Sequence, residues 1–261
     1  MDELITNEFV HYFCNEIYFD ILNHFFKIIY MKRYVLYYGD RGNNMEAHSL
    51  RLKQNSHIAE SYRKLAVNIE YANIDGNIKT IMMTSSMENE GKTTTISNLA
   101  CVMTELNKKI LLIDLDLRKP AVHKYFNLTN GAGLIDLLLN KDDYNKYIHN
   151  IQPGLDVLTS GRVPSNATEI INSKAIKDVL KELSSRYDYI FLDTPPVALV
   201  SDPVNIAVYS DAVILTIAYS ETDKETIKKS INILRQVNAN IIGTVFNKAP
   251  INKNNKHYYY Y

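Results

Sequence analysis

The sequence predicts an α/β domain built on a doubly wound, mostly parallel sheet. Short apolar segments that end in polar turn residues recur along the chain, as strands buried on both faces require. Segments with apolar residues at helical spacing alternate with them, which indicates β-α-β units. A Gly91-Lys92-Thr93 sequence stands between one such strand and the next helix, where an open parallel sheet binds its ligand.

This alternation begins with a helix in which Ile58, Tyr62, Leu65 and Ile69 recur at helical spacing. The predicted strands are 79–85, 110–114, 155–158, 188–193, 212–218 and 241–246. The predicted helices are 58–71, 92–106, 133–139, 169–184, 203–209 and 224–237. Because strands and helices alternate along the chain, we expect one sheet with helices packed against it.

Length, charge and cysteine content narrow the classes of function. The chain has 261 residues, enough for one large α/β domain with extensions. Its formal net charge is +0, so no bulk attraction to nucleic acid is expected. Cys14 and Cys101 lack a CxxC or histidine-rich neighbourhood. This argues against a disulfide framework or a zinc site and favours a reducing cytoplasm.

Three sections of the chain are predicted: an N-terminal extension of unknown role at 1–44, a P-loop domain at 45–250 and a tyrosine-rich tail at 251–261. The apolar segment 17–38 carries charged residues in its middle, so it is not expected to span a membrane. It also lacks the features of a secretory signal. An amphipathic helix on a membrane or partner, a packing helix and a poorly ordered leader remain open for it.

Residues 86–93, Ser-Met-Glu-Asn-Glu-Gly-Lys-Thr, follow the phosphate-loop pattern G-x-x-x-x-G-K-[ST] with Ser86 at the first glycine. Backbone N–H groups and the helix N-terminus attract phosphate in such a loop. We expect Lys92 to reach the β- and γ-phosphates of ATP and Thr93 to place its hydroxyl on Mg²⁺. The alternative is a strand–turn–helix junction that binds nothing.

Carboxylates follow two of the predicted strands. Asp114 is the last residue of the strand 110–114, and Asp116 follows it two residues later. Asp193 is the last residue of the strand 188–193. Because the carboxyl ends of parallel strands line the ligand crevice, these acids are expected beside the phosphate loop. Carboxylates there bind Mg²⁺ directly or through water, whereas a solvated pair of loop acids is the alternative. The whole set suits phosphoryl transfer, in which catalysis is mainly positioning and charge stabilisation.

Together these motifs resemble the bacterial tyrosine kinases of capsule and exopolysaccharide systems. The resemblance covers about 58–261 and includes Ile-Asp-Leu-Asp-Leu-Arg-Lys-Pro at 113–120, Leu-Thr-Ser-Gly-Arg-Val-Pro-Ser-Asn at 158–166 and Phe-Leu-Asp-Thr-Pro-Pro at 191–196. It implies the P-loop NTPase fold of the partition and septum-site ATPases. Those ATPases usually carry a second lysine early in the loop, where this chain has Met87. The P-loop domain would then be a kinase domain.

The resemblance also implies roles for the site residues. Asp116 and Asp193 would join Thr93 in serving Mg²⁺, and Asp114 would accept the proton of the attacking tyrosine, although the choice between Asp114 and Asp116 as base stays open. Arg118 would stabilise phosphate charge. The residues expected to contact the nucleotide are Ser86, Glu90, Gly91, Lys92, Thr93, Thr94 and Asn247, the last at the base.

Two departures from the family pattern stand out. Glu88-Asn89 replaces the usual Pro-Gly of the loop, and a left-handed asparagine is tolerated there. The helix motif Glu-x-x-Arg-x-x-Arg, which serves self-association into rings, keeps Glu60 and Arg63 but has Ala66 in place of the last arginine.

The chain ends in Tyr258, Tyr259, Tyr260 and Tyr261 after a polar stretch. These tyrosines resemble the family's autophosphorylation tail, and the alternative is a sticky, poorly ordered terminus. The family role implied is regulation of surface polysaccharide synthesis by a cytoplasmic kinase. A separate membrane-bound activator with a cytosolic tail would hold it at the inner face of the membrane. An ATPase that switches without phosphorylating tyrosine, and a module that binds nucleotide without turnover, are the rival functions.

Overall fold

The computed structural model of the chain describes residues 32–37, 57–140 and 144–249. The strands are Lys32–Tyr37 (β1), Thr80–Ser85 (β2), Ile110–Asp114 (β3), Ile148–Gln152 (β4), Leu155–Leu158 (β5), Tyr189–Asp193 (β6), Ala212–Ala218 (β7) and Ile241–Ala249 (β8). The helices are His57–Ala72 (α1), Lys92–Met103 (α2), Val122–Tyr125 (α3), Leu134–Leu139 (α4), Ala167–Asn172 (α5), Lys174–Leu183 (α6), Asp202–Ala207 (α7) and Lys224–Gln236 (α8). Single 3₁₀ turns occupy Thr104–Leu106 and Tyr144–Lys146.

Within these residues all eight strands form one sheet, in the order β1-β8-β7-β2-β6-β3-β5-β4. Each neighbouring pair is parallel except β4 and β5, which are antiparallel. Every residue of β2, β3, β6 and β7 is buried, because helices cover both faces of the sheet centre. The predicted doubly wound, mostly parallel α/β fold is therefore confirmed.

The core packs α1 and α2 against one face of the sheet. Phe191 of β6 is fully buried there with Leu65 of α1 and Leu99 of α2. Burying each such side chain contributes about 1.5–3 kcal/mol to folding. This packing fixes the start of α2, and with it the phosphate loop, relative to the carboxyl ends of β2 and β6.

Part of the predicted N-terminal segment 17–38 was misassigned. Its described residues, Lys32–Tyr37, form β1 and pair in parallel with β8, where the sequence suggested a helix or a leader. Tyrosine and valine favour strands, and β8 offers an edge whose N–H and C=O groups need partners. That edge is a tertiary feature that the hydrophobic pattern does not show.

Strand β4 was missed because its residues are polar or only half buried, so no apolar run marks it. The Pro153-Gly154 turn between β4 and β5 was the available signal of a hairpin. Gly154 has φ 85°, and a Cβ there would lie 3.1 Å from the carbonyl oxygen of Lys108. Glycine is therefore needed at this turn.

Two predicted helices are shorter than expected. The helix predicted at 169–184 is interrupted at Ser173, whose extended backbone ends α5 and whose hydroxyl accepts the Ile176 N–H at the start of α6. Serine favours this capping position over a helix interior. The helix predicted at 92–106 ends at Met103 and continues only as a 3₁₀ turn. In the described part of the chain, no helix combines the length and apolar character that crossing a bilayer requires.

Candidate nucleotide and metal site

The phosphate loop connects the end of β2 to the start of α2. Asn89 has φ 63°, the left-handed conformation that asparagine tolerates better than most residues. Gly91 precedes α2 with φ 87°, and a Cβ on it would lie 1.9 Å from Nδ2 of Asn247. Glycine is thus required at position 91 both by its backbone angle and by the close approach of β8.

In the part of the chain that the structure describes, no side chain caps the first turn of helix α2. Gly91 provides no side-chain hydrogen bond, and the first turn contains no acidic residue. The first backbone N–H groups of a helix have no partner within the helix and carry partial positive charge. They are therefore open to an anion, which is the arrangement that binds phosphate. Thr94, predicted to contact the nucleotide, lies in this turn.

Lys92 extends from α2 between two carboxylates. Its Nζ lies 3.1 Å from Oδ2 of Asp116 and 3.7 Å from Oδ1 of Asp193. Burial would lower the pKa of the Lys92 ammonium, but the charges of Asp193 and Asp116 outweigh burial and raise that pKa. Lys92 is therefore held in its charged form, as a group that grips phosphate must be.

Only one of the two carboxylate oxygens of Asp193 accepts a hydrogen bond from the described residues. Its Oδ2 accepts a hydrogen bond of 2.6 Å from the hydroxyl of Thr93. Its Oδ1 is fully buried and has no hydrogen-bond partner among the described residues. Burial raises the pKa of the Asp193 carboxyl, while Lys92 and Thr93 oppose that rise. A carboxylate oxygen and a hydroxyl side by side are the hard oxygen donors that Mg²⁺ prefers.

The residues present therefore fit a magnesium ion beside Thr93 and Asp193. Among the described residues, no three His, Cys, Asp or Glu side chains are grouped to hold a metal ion by themselves. Mg²⁺ is commonly held by one or two carboxylates together with water and substrate phosphates. The predicted set of Thr93, Asp116 and Asp193 is consistent with that mode of binding.

Asp114 faces Asp193 across neighbouring strands, since the two are register partners in β3 and β6. Its Oδ1 accepts the N–H of Asp116 at 3.2 Å, and its Oδ2 accepts the N–H groups of Ala121 and Val122, each at 3.0 Å. Burial and the charge of Asp193 raise the pKa of the Asp114 carboxyl well above its usual value. Asp114 thus shapes the loop that follows β3 and is also inclined to take up a proton.

Asp116 bridges the loop after β3 and the phosphate loop. Besides its ion pair with Lys92, it accepts the backbone N–H of Lys119 at 2.9 Å. At the rim of the site, the ammonium of Lys119 pairs with Glu88 at 2.6 Å, and both side chains are exposed. Asp116, unlike Asp114, contacts a side chain of the phosphate loop directly.

Arg118 is bound away from the other predicted groups. Its Nε donates to Oδ2 of Asp202 at 2.7 Å, and its Nη2 donates to Thr168 at 2.8 Å and to the other Asp202 oxygen at 3.3 Å. Asp202 is fully buried at the start of α7. The structure therefore brings Lys92, Thr93, Asp116 and Asp193 together. Arg118 is bound instead to Thr168 of α5 and Asp202 of α7.

Sequence reasoning missed Asp202 and Thr168, although Asp202-Pro203 is a recognisable helix start. It also missed Thr222, which donates a short hydrogen bond to the buried carboxylate of Glu90. Ser86 is fully buried, and its hydroxyl has no partner among the described residues. Asn247 donates from Nδ2 to the carbonyl of Glu90 at 2.9 Å. The predicted acceptor tyrosines 258–261 lie outside the described residues.

Comparison with known proteins identifies the protein family of this chain. A family model described as an AAA domain matches residues 78–246. The tyrosine-protein kinase YwqD of Bacillus subtilis is 36% identical over 223 residues, which cover 85% of this chain and 94% of that protein. The chain belongs to the bacterial tyrosine-protein kinases. The predicted enzyme class, a protein-tyrosine kinase, is confirmed at the level of this family.

Further kinases and solved structures are similar to this chain over most of its length. The putative tyrosine-protein kinase CapB of Staphylococcus aureus is 36% identical over 210 residues, covering 80% of this chain and 92% of that protein. The chimerical protein CapA2B2 superposes with a TM-score of 0.76 at 31% identity, covering 83% of this chain and 93% of that structure. The kinase domain of Escherichia coli ETK gives a TM-score of 0.71 at 29% identity, covering 78% of this chain and 80% of that structure.

More distant similarities concern the fold alone. A cobyrinic acid a,c-diamide synthase from Mycobacterium smegmatis, solved with an ATP analogue and magnesium, gives a TM-score of 0.54 at 18% identity. Some kinases of the family are much longer, since the match to the Escherichia coli kinase etk covers 72% of this chain but 26% of that protein. The kinase relatives described above establish the family of this chain, and the structures agree on its P-loop fold.

Proposed function

We propose that this kinase phosphorylates its own C-terminal tyrosines, 258–261, with Mg-ATP and thereby regulates capsular or exopolysaccharide biosynthesis. The observation that carries the proposal is the cluster of Lys92, Thr93, Asp116 and Asp193 at the phosphate loop. It places a lysine, a hydroxyl and two carboxylates at the carboxyl ends of adjacent strands. The polysaccharide role rests on the family resemblance.

Lys92 and the first turn of α2 would hold the β- and γ-phosphates of ATP. Thr93 and Asp193 would hold Mg²⁺, with Asp116 as the third predicted group. Bound Mg²⁺ supplies charge neutralisation on the phosphate oxygens during transfer. The buried position of Asp193 strengthens its attraction for a cation, since little water screens it.

In the transfer step, the tyrosine oxygen forms a bond to the γ-phosphorus as the bond from that phosphorus to the β,γ-bridging oxygen breaks. ADP leaves with the bond's electron pair, and the phenolic proton passes to a carboxylate. Asp114 is the predicted acceptor, and burial together with the charge of Asp193 raises the pKa of its carboxyl, which makes it a better proton acceptor than an exposed aspartate. Asp116 is the alternative base, and comparing Asp114→Asn with Asp116→Asn in single-turnover transfer would separate them.

A membrane-bound partner completes the proposal. The family resemblance implies a separate activator, or chain-length regulator, whose cytosolic tail recruits this cytoplasmic kinase to the inner face of the membrane. Self-association into a ring-type oligomer is a further family feature. Glu60 and Arg63 are at the surface, and Arg63 pairs with Glu105 at 2.7 Å. Ala66, where the family has an arginine, is fully buried, so this chain would need a different third contact.

The test is to incubate the purified full chain with labelled Mg-ATP, with and without membranes that contain the activator. A Lys92→Met variant is run beside it. Label on tyrosine that depends on Lys92 is expected. Release of free phosphate without labelled tyrosine, in both preparations, would instead identify an ATPase switch. Bound nucleotide with neither product would identify a binding module.

A further inference from the structure

Glu90 lies in the middle of the phosphate loop, yet its carboxylate is inside the protein. The residue is 2% exposed, and a buried carboxylate is costly unless donors surround it. Among the described residues, three donors do so. The N–H of Met87 donates to Oε2 at 2.8 Å, the N–H of Ala218 donates to Oε1 at 3.2 Å, and the hydroxyl of Thr222 donates to the same Oε1. Two of the three donors lie outside the loop.

Those outside donors belong to the end of the site where the base of the nucleotide is expected. Ala218 ends β7, and Thr222 lies in the turn before α8. Asn247 of β8, the predicted base contact, donates to the carbonyl of Glu90 at 2.9 Å. The backbone carbonyl of Asn247 accepts the N–H of Tyr219 at 2.9 Å. Glu90 therefore connects the phosphate loop to the ends of β7 and β8 through both its side chain and its backbone.

We propose that Glu90 is a positioning residue that couples the phosphate half of the ATP site to its base half. Its carboxylate contacts the protein in place of the nucleotide contact predicted from the sequence. The inference rests on the proposed function in one respect, since it takes Asn247 as the base contact. The connection fixes the distance between Asn247 and the phosphate loop.

That fixed distance has a binding consequence. A ligand held at two points gains affinity only when the two points are already spaced to match it, because otherwise ordering the site costs free energy. ATP reaches both halves, whereas inorganic tripolyphosphate reaches the phosphate loop alone. Loss of the connection should therefore weaken the binding of ATP much more than the binding of tripolyphosphate. It should also reduce the preference for adenine over guanine.

Glu90→Gln tests this, because the amide must turn an N–H toward one of the donors that the carboxylate now accepts. Thr222→Val removes one outside donor and keeps Glu90 and the side-chain shape. Glu88→Gln, two residues earlier and exposed, is the matched control. Calorimetric titration of the full chain with Mg-ATP, Mg-GTP and Mg-tripolyphosphate gives the three affinities for each variant.

We expect the affinity for Mg-ATP to fall about tenfold in Glu90→Gln and about threefold in Thr222→Val, on the order of a buried donor left unsatisfied. Tripolyphosphate binding should change by less than about twofold, the ATP-to-GTP preference should shrink, and Glu88→Gln should match the unaltered chain. Equal losses for ATP and tripolyphosphate, or no loss at all, would overturn the inference. If Glu90→Gln fails to fold, the same ratio in Thr222→Val decides.

These titrations do not depend on phosphate transfer. An unaltered chain that binds Mg-ATP but labels no tyrosine would contradict the proposed function and leave the role of Glu90 standing. Conversely, a chain that labels its tyrosines while Glu90→Gln keeps the unaltered ATP-to-tripolyphosphate ratio would contradict the role of Glu90 alone.

Discussion

Two regions at the carboxyl edge of the sheet differ in how their charges are used. Where the phosphate loop meets β6, one buried oxygen of Asp193 has no hydrogen-bond partner within the described part of the chain, and Lys92 lies between two carboxylates. At the end of β3, both oxygens of Asp114 accept backbone N–H groups of the residues that follow, and Arg118 in the next loop is paired with Asp202. The first region has unmatched charge to offer a ligand, whereas the second uses its charges to hold its own shape.

The largest effect should follow from removing the lysine of the first region. Lys92→Met removes the charge that we propose binds phosphate, so we expect phosphate transfer to fall by about 10²- to 10³-fold. Lys119→Met is the matched control, because Lys119 pairs with Glu88 at the exposed rim and such pairs contribute about 0–1 kcal/mol. Initial rates of tyrosine labelling measure both. Similar losses in the two variants would contradict the distinction between buried and rim lysines.

Asparagine variants of the facing acids Asp193 and Asp114 should both slow transfer but differ in stability. Asp193→Asn keeps an acceptor for Thr93 but loses the charge for Mg²⁺, so we expect transfer to fall about 100-fold with little change in the free energy of unfolding. Asp114→Asn must turn an amide N–H toward one of three backbone donors, which should cost about 1–3 kcal/mol.

Denaturant unfolding of the two variants, beside Mg²⁺ titrations of activity, provides the comparison. A loss of stability in Asp193→Asn larger than that in Asp114→Asn would reverse the roles assigned to the two regions.

A smaller effect is expected at the Arg118–Asp202 pair. Arg118→Lys cannot reproduce the paired contacts to Asp202 and Thr168, and it leaves a fully buried carboxylate poorly matched. We expect the free energy of unfolding to fall by about 2 kcal/mol. Asp202→Asn, in which Arg118 keeps its charge, tests the prediction that Arg118 stabilises phosphate charge. If Arg118 serves phosphate, transfer should survive in Asp202→Asn and fail in Arg118→Lys.

The smallest effect concerns the loop backbone. Asn89 has a left-handed backbone, which costs most residues about 1–2 kcal/mol more than it costs glycine or asparagine. Asn89→Ala should therefore lose about 1 kcal/mol of folding free energy, while Asn89→Gly should stay close to the unaltered chain. Thermal unfolding measures both. Equal stability of the alanine and glycine variants would show that the loop does not need this conformation.

The same contrast explains what could be predicted from the sequence. The phosphate loop is contiguous, and the acids follow apolar strands directly, so local pattern was enough to place them at one edge. The partners of Glu90 and Arg118 are different, because Ala218 and Thr222 lie 128 and 132 positions from Glu90, and Asp202 lies 84 positions from Arg118. Contacts at such separations depend on how the sheet is ordered, which hydrophobic periodicity does not specify. Strand β1 was not predicted for the same reason, because its pairing with β8 also depends on the order of the sheet.

Phosphate transfer from this kinase to its own C-terminal tyrosines can be followed by site-resolved mass spectrometry of phosphotyrosine after incubation with Mg-ATP and activator-containing membranes. The unaltered chain is compared with a variant in which Tyr258, Tyr259, Tyr260 and Tyr261 are all phenylalanine. We predict that most phosphotyrosine lies within 258–261 and disappears in that variant. Retention of most of the phosphotyrosine in the phenylalanine variant would contradict the account.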